Sequence, residues 1–225
     1  CRLGSAHMGK TVGAIRHSVI HQKAAYNLQE KFLIQQVDCV VHGAEQVITC
    51  AGPIPKRSQE LSRIGMQRKA IIASLDGRIV YIGSEKNFLS QCRTEKDCLE
   101  IDASGMAALP GFVDPHNHLP FAGSREEEFA LRLKGATYQE LSARGMGIQT
   151  TVSATRQVPP SELKSICLKR LDSMLLLGTT TAEAKSGYGL TLQDEIKQLE
   201  AIKAADAEHP IDLIPTFMGA HEIPL

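Results

Sequence analysis

The run from Leu109 to Arg125, Leu-Pro-Gly-Phe-Val-Asp-Pro-His-Asn-His-Leu-Pro-Phe-Ala-Gly-Ser-Arg, limits what this chain can be more than any other stretch. Gly111 to Val113 reads as a short buried strand, and Asp114-Pro115 ends it, because proline lacks the backbone donor and forces a turn. His116 and His118 follow at once. In an extended segment residues i and i+2 project from one side, so the two imidazoles can address one point while Asn117 faces away. That is half of a tetrahedral metal shell. A hydrolytic metal takes about three or four protein ligands and keeps one position open for water, so the pair requires further ligands elsewhere. Two surface histidines at a strand end are the competing reading, and the surrounding residues have to decide.

Charge excludes some partners. With 25 basic and 25 acidic residues the chain is formally neutral, which argues against nucleic acid and against an anionic membrane surface, and for a small ligand. No apolar run reaches the length that spans a bilayer. Cys1, Cys39, Cys50, Cys92, Cys98 and Cys167 are scattered, with no Cys-x-x-Cys pair, so reduced, mostly structural thiols are expected. Residues 1–30 hold no continuous apolar core of the secretory kind, and a cytoplasmic, soluble protein is expected.

Taken in order, residues 1–34 form a segment that yields no functional reading. His17 and His21 would share a helix face there, with solvent-exposed coincidence as the plainer account. From Val37 the pattern turns to short runs rich in Val and Ile: Val37 to Val41, Gln46 to Cys50, Ala70 to Leu75 and Arg78 to Ile82. Asp76-Gly77 is a two-residue hairpin turn between the last two, and Cys98 to Ile101 reads as a further strand. Residues 35–108 are thus expected to be a small β domain. After Arg125, Glu126 to Glu128 open a helix with Phe129, Leu131 and Leu133 on its apolar side, the carboxylates sitting where a helix start favours negative charge. Thr137 to Ala143 reads as a short helix and Ser161 to Leu177 as an amphipathic one. Thr179 to Ala184 is the next buried strand, delivering Lys185-Ser186-Gly187-Tyr188-Gly189. Thr191 with Asp194 caps a helix whose face runs through Leu192, Ile196, Leu199 and Ile202. Ile211 to Met218 is a strand leading to Gly219-Ala220-His221. Strand, polar residues, helix, strand is the rhythm of parallel crossover units.

Pro110-Gly111-Phe112-Val113-Asp114-Pro115-His116-Asn117-His118 resembles the first-strand signature of the amidohydrolase superfamily, metal-dependent hydrolases built on a (β/α)8 barrel. The blocks Phe121 to Arg125, Glu128-Phe129, Leu131 to Tyr138, Lys185 to Leu190 and Gly219 to His221 resemble, within it, the imidazolonepropionase family of histidine degradation. The resemblance runs from about Val37 to the last residue. It implies that His116 and His118 hold one divalent metal, Zn or Fe, with a later His and Asp. It implies a substrate, 4-imidazolone-5-propanoate, whose cyclic amide opens to N-formimidoyl-L-glutamate. Arg125 matches the position that grips the propanoate tail, its planar fork suiting a carboxylate, and a salt bridge to Glu126 or Glu127 is the alternative. Tyr188 matches a substrate-contacting position, or packs. His221 matches a histidine beside the reacting carbonyl, where a ring donor stabilises an oxyanion, or is structural. Lys185 orients a downstream acid, or satisfies Glu183 or Asp194. A homodimer is also implied. Met146 between Gly145 and Gly147 departs from the family's glycine run.

A closed barrel of this kind takes about 250 residues. This chain has 225 in all, with barrel signals only from Leu109. The expectation is therefore an α/β chain in which residues 109–225 are the N-terminal strands of a partial (β/α)8 TIM barrel, preceded by an incomplete, β-sandwich-like domain. The chain starts on Cys and stops on Pro224-Leu225, which reads as a fragment, inactive by itself and a weak metal binder. Another amidohydrolase, a deaminase or cyclic amidase, is the alternative.

Overall fold

The structure, a computed structural model, describes residues 34–223. The His17/His21 pair lies outside the described residues. Two compact units divide between Pro110 and Gly111.

In the first, the strands are β1 (Gln35–His42), β2 (Gln46–Ile48), β3 (Met66–Arg68), β4 (Ala70–Leu75), β5 (Arg78–Ser84), β6 (Cys92–Asp102) and β7 (Ala107–Ala108), with helix α1 (Glu85–Gln91) between β5 and β6. They form two sheets, ordered β5-β4-β1-β6 and β3-β2-β7. β1 pairs antiparallel with β4 and parallel with β6. The β4–β5 turn is set by its sequence: Asp76 and Gly77 both take positive φ, +52° and +72°, the geometry that matches strand twist and that Asp-Gly tolerates. Val37, Val40, Ile71, Ala73 and Phe88 bury together under the larger sheet. Helix α1 has no counterpart in the sequence expectations. Ser84 starts it by accepting a hydrogen bond from the Asn87 N–H.

The second unit runs β8 (Phe112–Asp114), α2 (Glu126–Leu133), α3 (Tyr138–Ala143), α4 (Ile148–Gln157), α5 (Pro160–Leu176), β9 (Thr179–Lys185), α6 (Leu192–Asp206) and β10 (Asp212–Thr216). Its sheet, ordered β10-β9-β8, is parallel throughout. Ala182 and Ala184 alternate inward along β9, and their small side chains let α5 and α6 seat Cys167, Leu171, Ile202 and Ala205 against the sheet, joined by Ile211 and Leu213. No helix of the described residues is long and apolar enough to cross a membrane.

Three sequence expectations are corrected here. Gly111 to Val113 is not buried: Phe112 and Val113 are exposed, because among the described residues the three-residue β8 lies at a sheet edge and pairs only with β9. On α2 the buried residue is Glu128, while Phe129 and Leu133 are exposed. On α6 the inward face is Glu195, Gln198, Ala201, Ile202 and Ala205, with Leu192 and Ile196 exposed. Hydropathy misplaces the α2 face and the first turns of α6, because the buried carboxylates and amide are held by hydrogen bonds that hydropathy does not count, while Leu199 and Ile202 do pack on the core.

Candidate active site

The polar residues gather where β8, β9 and β10 end. At β8, the Asp114 carboxylate accepts a hydrogen bond from the His116 N–H at 3.1 Å, an Asx turn that bends the chain at Pro115 and starts the histidine pair. The Lys185 N–H donates to the Asn117 carbonyl at 2.9 Å, which ties the His-Asn-His segment to the end of β9. Ser186, fully buried, is the knot of the site. Its N–H donates to the Thr216 carbonyl (3.0 Å), its Oγ accepts from the Met218 N–H (3.0 Å), and its carbonyl lies 2.9 Å from His118 Nδ1. The sequence placed Ser186 in a motif but gave it no task; its signal is only a small hydroxyl at a strand end.

A carbonyl can only accept, so His118 carries its proton on Nδ1 and turns a bare Nε2 outward. Burial lowers the pKa of His118 from its ordinary value, and the neighbouring His221 lowers it further. His221 is fixed the same way, Nδ1 lying 2.8 Å from the Gly187 carbonyl. A neutral His221 therefore also presents a lone pair at Nε2, and it becomes a donor there only as imidazolium.

His118, Tyr188 and His221 come together. The His118 and His221 rings stack at 4.7 Å between centroids with planes 20° apart, and Tyr188 lies 5.2 Å from each. His116 stands 6.0 Å from His118, its ring turned by 72°. The donor chemistry fits a divalent metal ion in part: His118 has the carbonyl-anchored imidazole typical of metal-binding histidine. Among the described residues no group of three or more His, Cys, Asp or Glu converges on one point, so the imidazole pair is at most half a shell.

Tyr188 also lines a cleft of about 430 Å³ with Phe121, Gly123, Ser124, Arg125, Thr151 and Arg170. Arg125 is thus on the same wall as Tyr188, but its fork is already engaged. Nε and Nη2 donate to the two carboxylate oxygens of Glu128 at 2.9 and 2.6 Å. The expected alternative partners, Glu126 and Glu127, are not the ones used. The Arg125 guanidinium holds the Glu128 carboxyl below the usual range, and the carboxylate in turn raises the pKa of Arg125.

Two further groups escaped the sequence reading. Glu195 Oε1 accepts from the N–H groups of Gly189 (2.7 Å) and Leu190 (2.8 Å), and Gln198 Oε1 accepts from the Tyr188 N–H (3.3 Å), so the first turns of α6 hold the loop that carries Tyr188. Arg170 on α5 donates through Nη1 to the carbonyls of Leu119 (2.6 Å) and Phe121 (2.7 Å), and its guanidinium lies 3.6 Å over the Phe121 ring. Lys185 pairs with Glu183, while Asp194 faces Arg156 and Lys197 instead.

No family model matches the chain. Imidazolonepropionase of Symbiobacterium thermophilum is 52% identical over 191 residues, 85% of this chain and 45% of that protein. Those of Haloarcula marismortui and Geobacillus sp. are 43% and 42% identical over 84% and 82% of the chain. A triazine hydrolase from Arthrobacter aurescens superposes over 80% of this chain and 35% of its own, with TM-score 0.49 and 19% identity, a likeness too slight to carry an argument. The chain spans less than half the length of the curated relatives it matches. At 42–52% identity over about 85% of its residues, it matches an N-terminal portion of proteins named imidazolonepropionase.

Proposed function

We propose that this chain is the N-terminal portion of an imidazolonepropionase, a hydrolase that opens the cyclic amide of 4-imidazolone-5-propanoate to N-formimidoyl-L-glutamate. In this reading the parallel strands β8, β9 and β10 are the first three of a (β/α)8 barrel, and residues 35–108 belong to a small β domain before it. What carries the reading is the meeting of His118, Tyr188 and His221 within about 5 Å of one another, with Tyr188 shared by the cleft that holds Arg125.

His116 and His118 would hold one divalent zinc or iron ion, which when bound supplies the Lewis acidity that makes water a nucleophile at neutral pH. The rest of the shell would come from outside residues 34–223. Tyr188 and the Arg125 edge not taken up by Glu128 orient the propanoate tail. His221, stacked on His118 with Nδ1 held by the Gly187 carbonyl, would as imidazolium donate through Nε2 to the oxygen of the ring carbonyl. The Lys185 ammonium keeps Glu183 ionised next to the pair, its carboxyl held below the usual range chiefly by that hydrogen bond and then by Thr216.

The test is loss of imidazolonepropanoate absorbance on adding the full-length enzyme, with His118→Ala as the comparison. The unaltered enzyme is expected to turn the substrate over, and the variant to lose at least about a thousandfold in kcat/KM together with its stoichiometric metal. Turnover of a nucleobase in place of the imidazolone would overturn the assignment.

A further inference from the structure

The loop of residues 186–190, between β9 and α6, serves three rings of the candidate site. The Ser186 carbonyl meets His118 Nδ1, the Gly187 carbonyl meets His221 Nδ1, and Tyr188 belongs to the loop itself. Its backbone is not relaxed: Gly187 has φ +121°, and Leu190, a buried residue with a side chain, has φ +55°. A left-handed leucine is disfavoured and persists only where its surroundings over-determine it. Helix α6 supplies acceptors for the N–H groups of Tyr188, Gly189 and Leu190. All of these come from the helix the loop leads into, so they would let loop and helix move as one body.

The Gly189 carbonyl is held from elsewhere. It accepts from Arg156 Nε on α4 at 2.6 Å, and Gly189 itself is buried. The Asp194 carboxylate lies farther from the same nitrogen, at 3.6 Å, so the carbonyl is the main partner. Helix α4 is anchored in turn. Thr155, fully buried, accepts from the Ala122 N–H at 3.0 Å, which ties α4 to the segment that follows His118. Lys197 of α6 donates to the carbonyls of Thr155, Arg156 and Val158 at 2.9, 2.9 and 3.3 Å, a cation where a helix C-terminus favours one. Thr151, one turn earlier on α4, lines the cleft with Tyr188, whereas Arg156 does not.

We propose that Arg156 is a positioning residue: by holding the Gly189 carbonyl it registers the 186–190 loop against the segment after His118, and so sets where the Tyr188 ring stands. It acts through Tyr188 and not on the ligand. The proposal deepens the reading above, on which it rests for the contact between Tyr188 and substrate.

The experiment is a double-mutant cycle in the full-length enzyme, with kcat/KM for 4-imidazolone-5-propanoate measured for Arg156→Met and Arg156→Lys, each with Tyr188 and with Tyr188→Ala. Hydrogen exchange of the 186–190 loop and of β9 is followed in the same proteins. With Tyr188 present, Arg156→Met is expected to lose about ten- to a hundredfold, the scale of a small misplacement. In the Tyr188→Ala background it is expected to lose less than about twofold more. Arg156→Lys keeps a charge and a donor without the planar fork, and is expected to lose about threefold, again only where Tyr188 is present. Exchange in the loop is expected to quicken in Arg156→Met while β9 stays protected. Equal losses in both backgrounds, or exchange that quickens in β9 as much as in the loop, would mean a merely structural role and overturn the proposal. An undiminished kcat/KM in Arg156→Met overturns it too and leaves the hydrolase reading standing. If the unaltered enzyme does not turn over the imidazolone, that reading falls, and loop exchange decides by itself: quickening in Arg156→Met upholds the tie, and no change overturns it. Should Arg156→Met fail to fold, Arg156→Lys carries the same cycle, and a loss that persists without Tyr188 overturns the proposal.

Discussion

An arginine placed by sequence to face a ligand faces a carboxylate of its own helix. Arg125 is the N-cap residue of α2, so Glu128 three positions on lies within reach of its fork, and the pair forms with Glu128 buried. Because the folded Glu128 carboxyl titrates below its ordinary value, the stability it contributes is complete above an unfolded pKa of about 4.3 and is lost as pH falls through the lower folded value. The difference in Tm between the unaltered protein and Glu128→Gln is therefore expected to be full at pH 7 and to shrink below about pH 4. Thermal scans across that range check it. Gly189 is constrained as tightly for another reason. A Cβ there would come within 2.6 Å of the backbone at Asp194 and Glu195, and backbone cannot swing aside. Gly189→Ala is expected to destabilise by about 1–3 kcal/mol, an overpacking cost that urea denaturation measures.

At the scale of elements, α6 acts as a clamp. Its N-cap, Thr191, accepts from the Asp194 N–H, which places Glu195 and Gln198 under the β9–α6 loop. Glu195→Ala would strand two buried N–H groups, at about 1–3 kcal/mol each, whereas Glu195→Gln keeps an acceptor and is expected to cost less. Hydrogen exchange at Leu190 gives the local readout: protection falls in the alanine variant and holds in the glutamine one. An unchanged Leu190 amide in Glu195→Ala would remove α6 from the account of how Tyr188 is placed. The same principle explains why hydropathy alone rotates this helix incorrectly. Leu192 and Ile196 look like core, yet at that end of the helix the inward position goes to Glu195, whose hydrogen-bonding partners are backbone amides of the loop just before it.

Across the molecule, the second unit rests on a core in which α5 and α6 meet the sheet through Cys167, Leu171, Ile202 and small residues of β9. Burial pushes the Cys167 thiol up to about 12, so it is an inert packing group and not a nucleophile. Leu171 is fully buried one position after Arg170, which joins the core to the cleft on adjacent residues of one helix. Leu171→Ala is expected to cost about 2–5 kcal/mol through the cavity it leaves, read from urea denaturation.

Much was legible in the chain itself. The Asp-Gly hairpin, the β9 and α5 spans to within a residue or two, the Thr191 cap and the rhythm of strands and helices all follow from local rules, because turn chemistry, capping and periodicity are short-range. The nearness of His116 and His118, whose ring centroids stand 6.0 Å apart, follows from their being two residues apart. What tertiary structure decided is every relation across long separations: that Ser186 sets the tautomer of His118, that His221 stacks on that ring, and that Arg170 reaches the carbonyls of Leu119 and Phe121. Those depend on which strand ends share a sheet edge and on which polar groups lose water together, and neither is encoded in the spacing of residues along the chain.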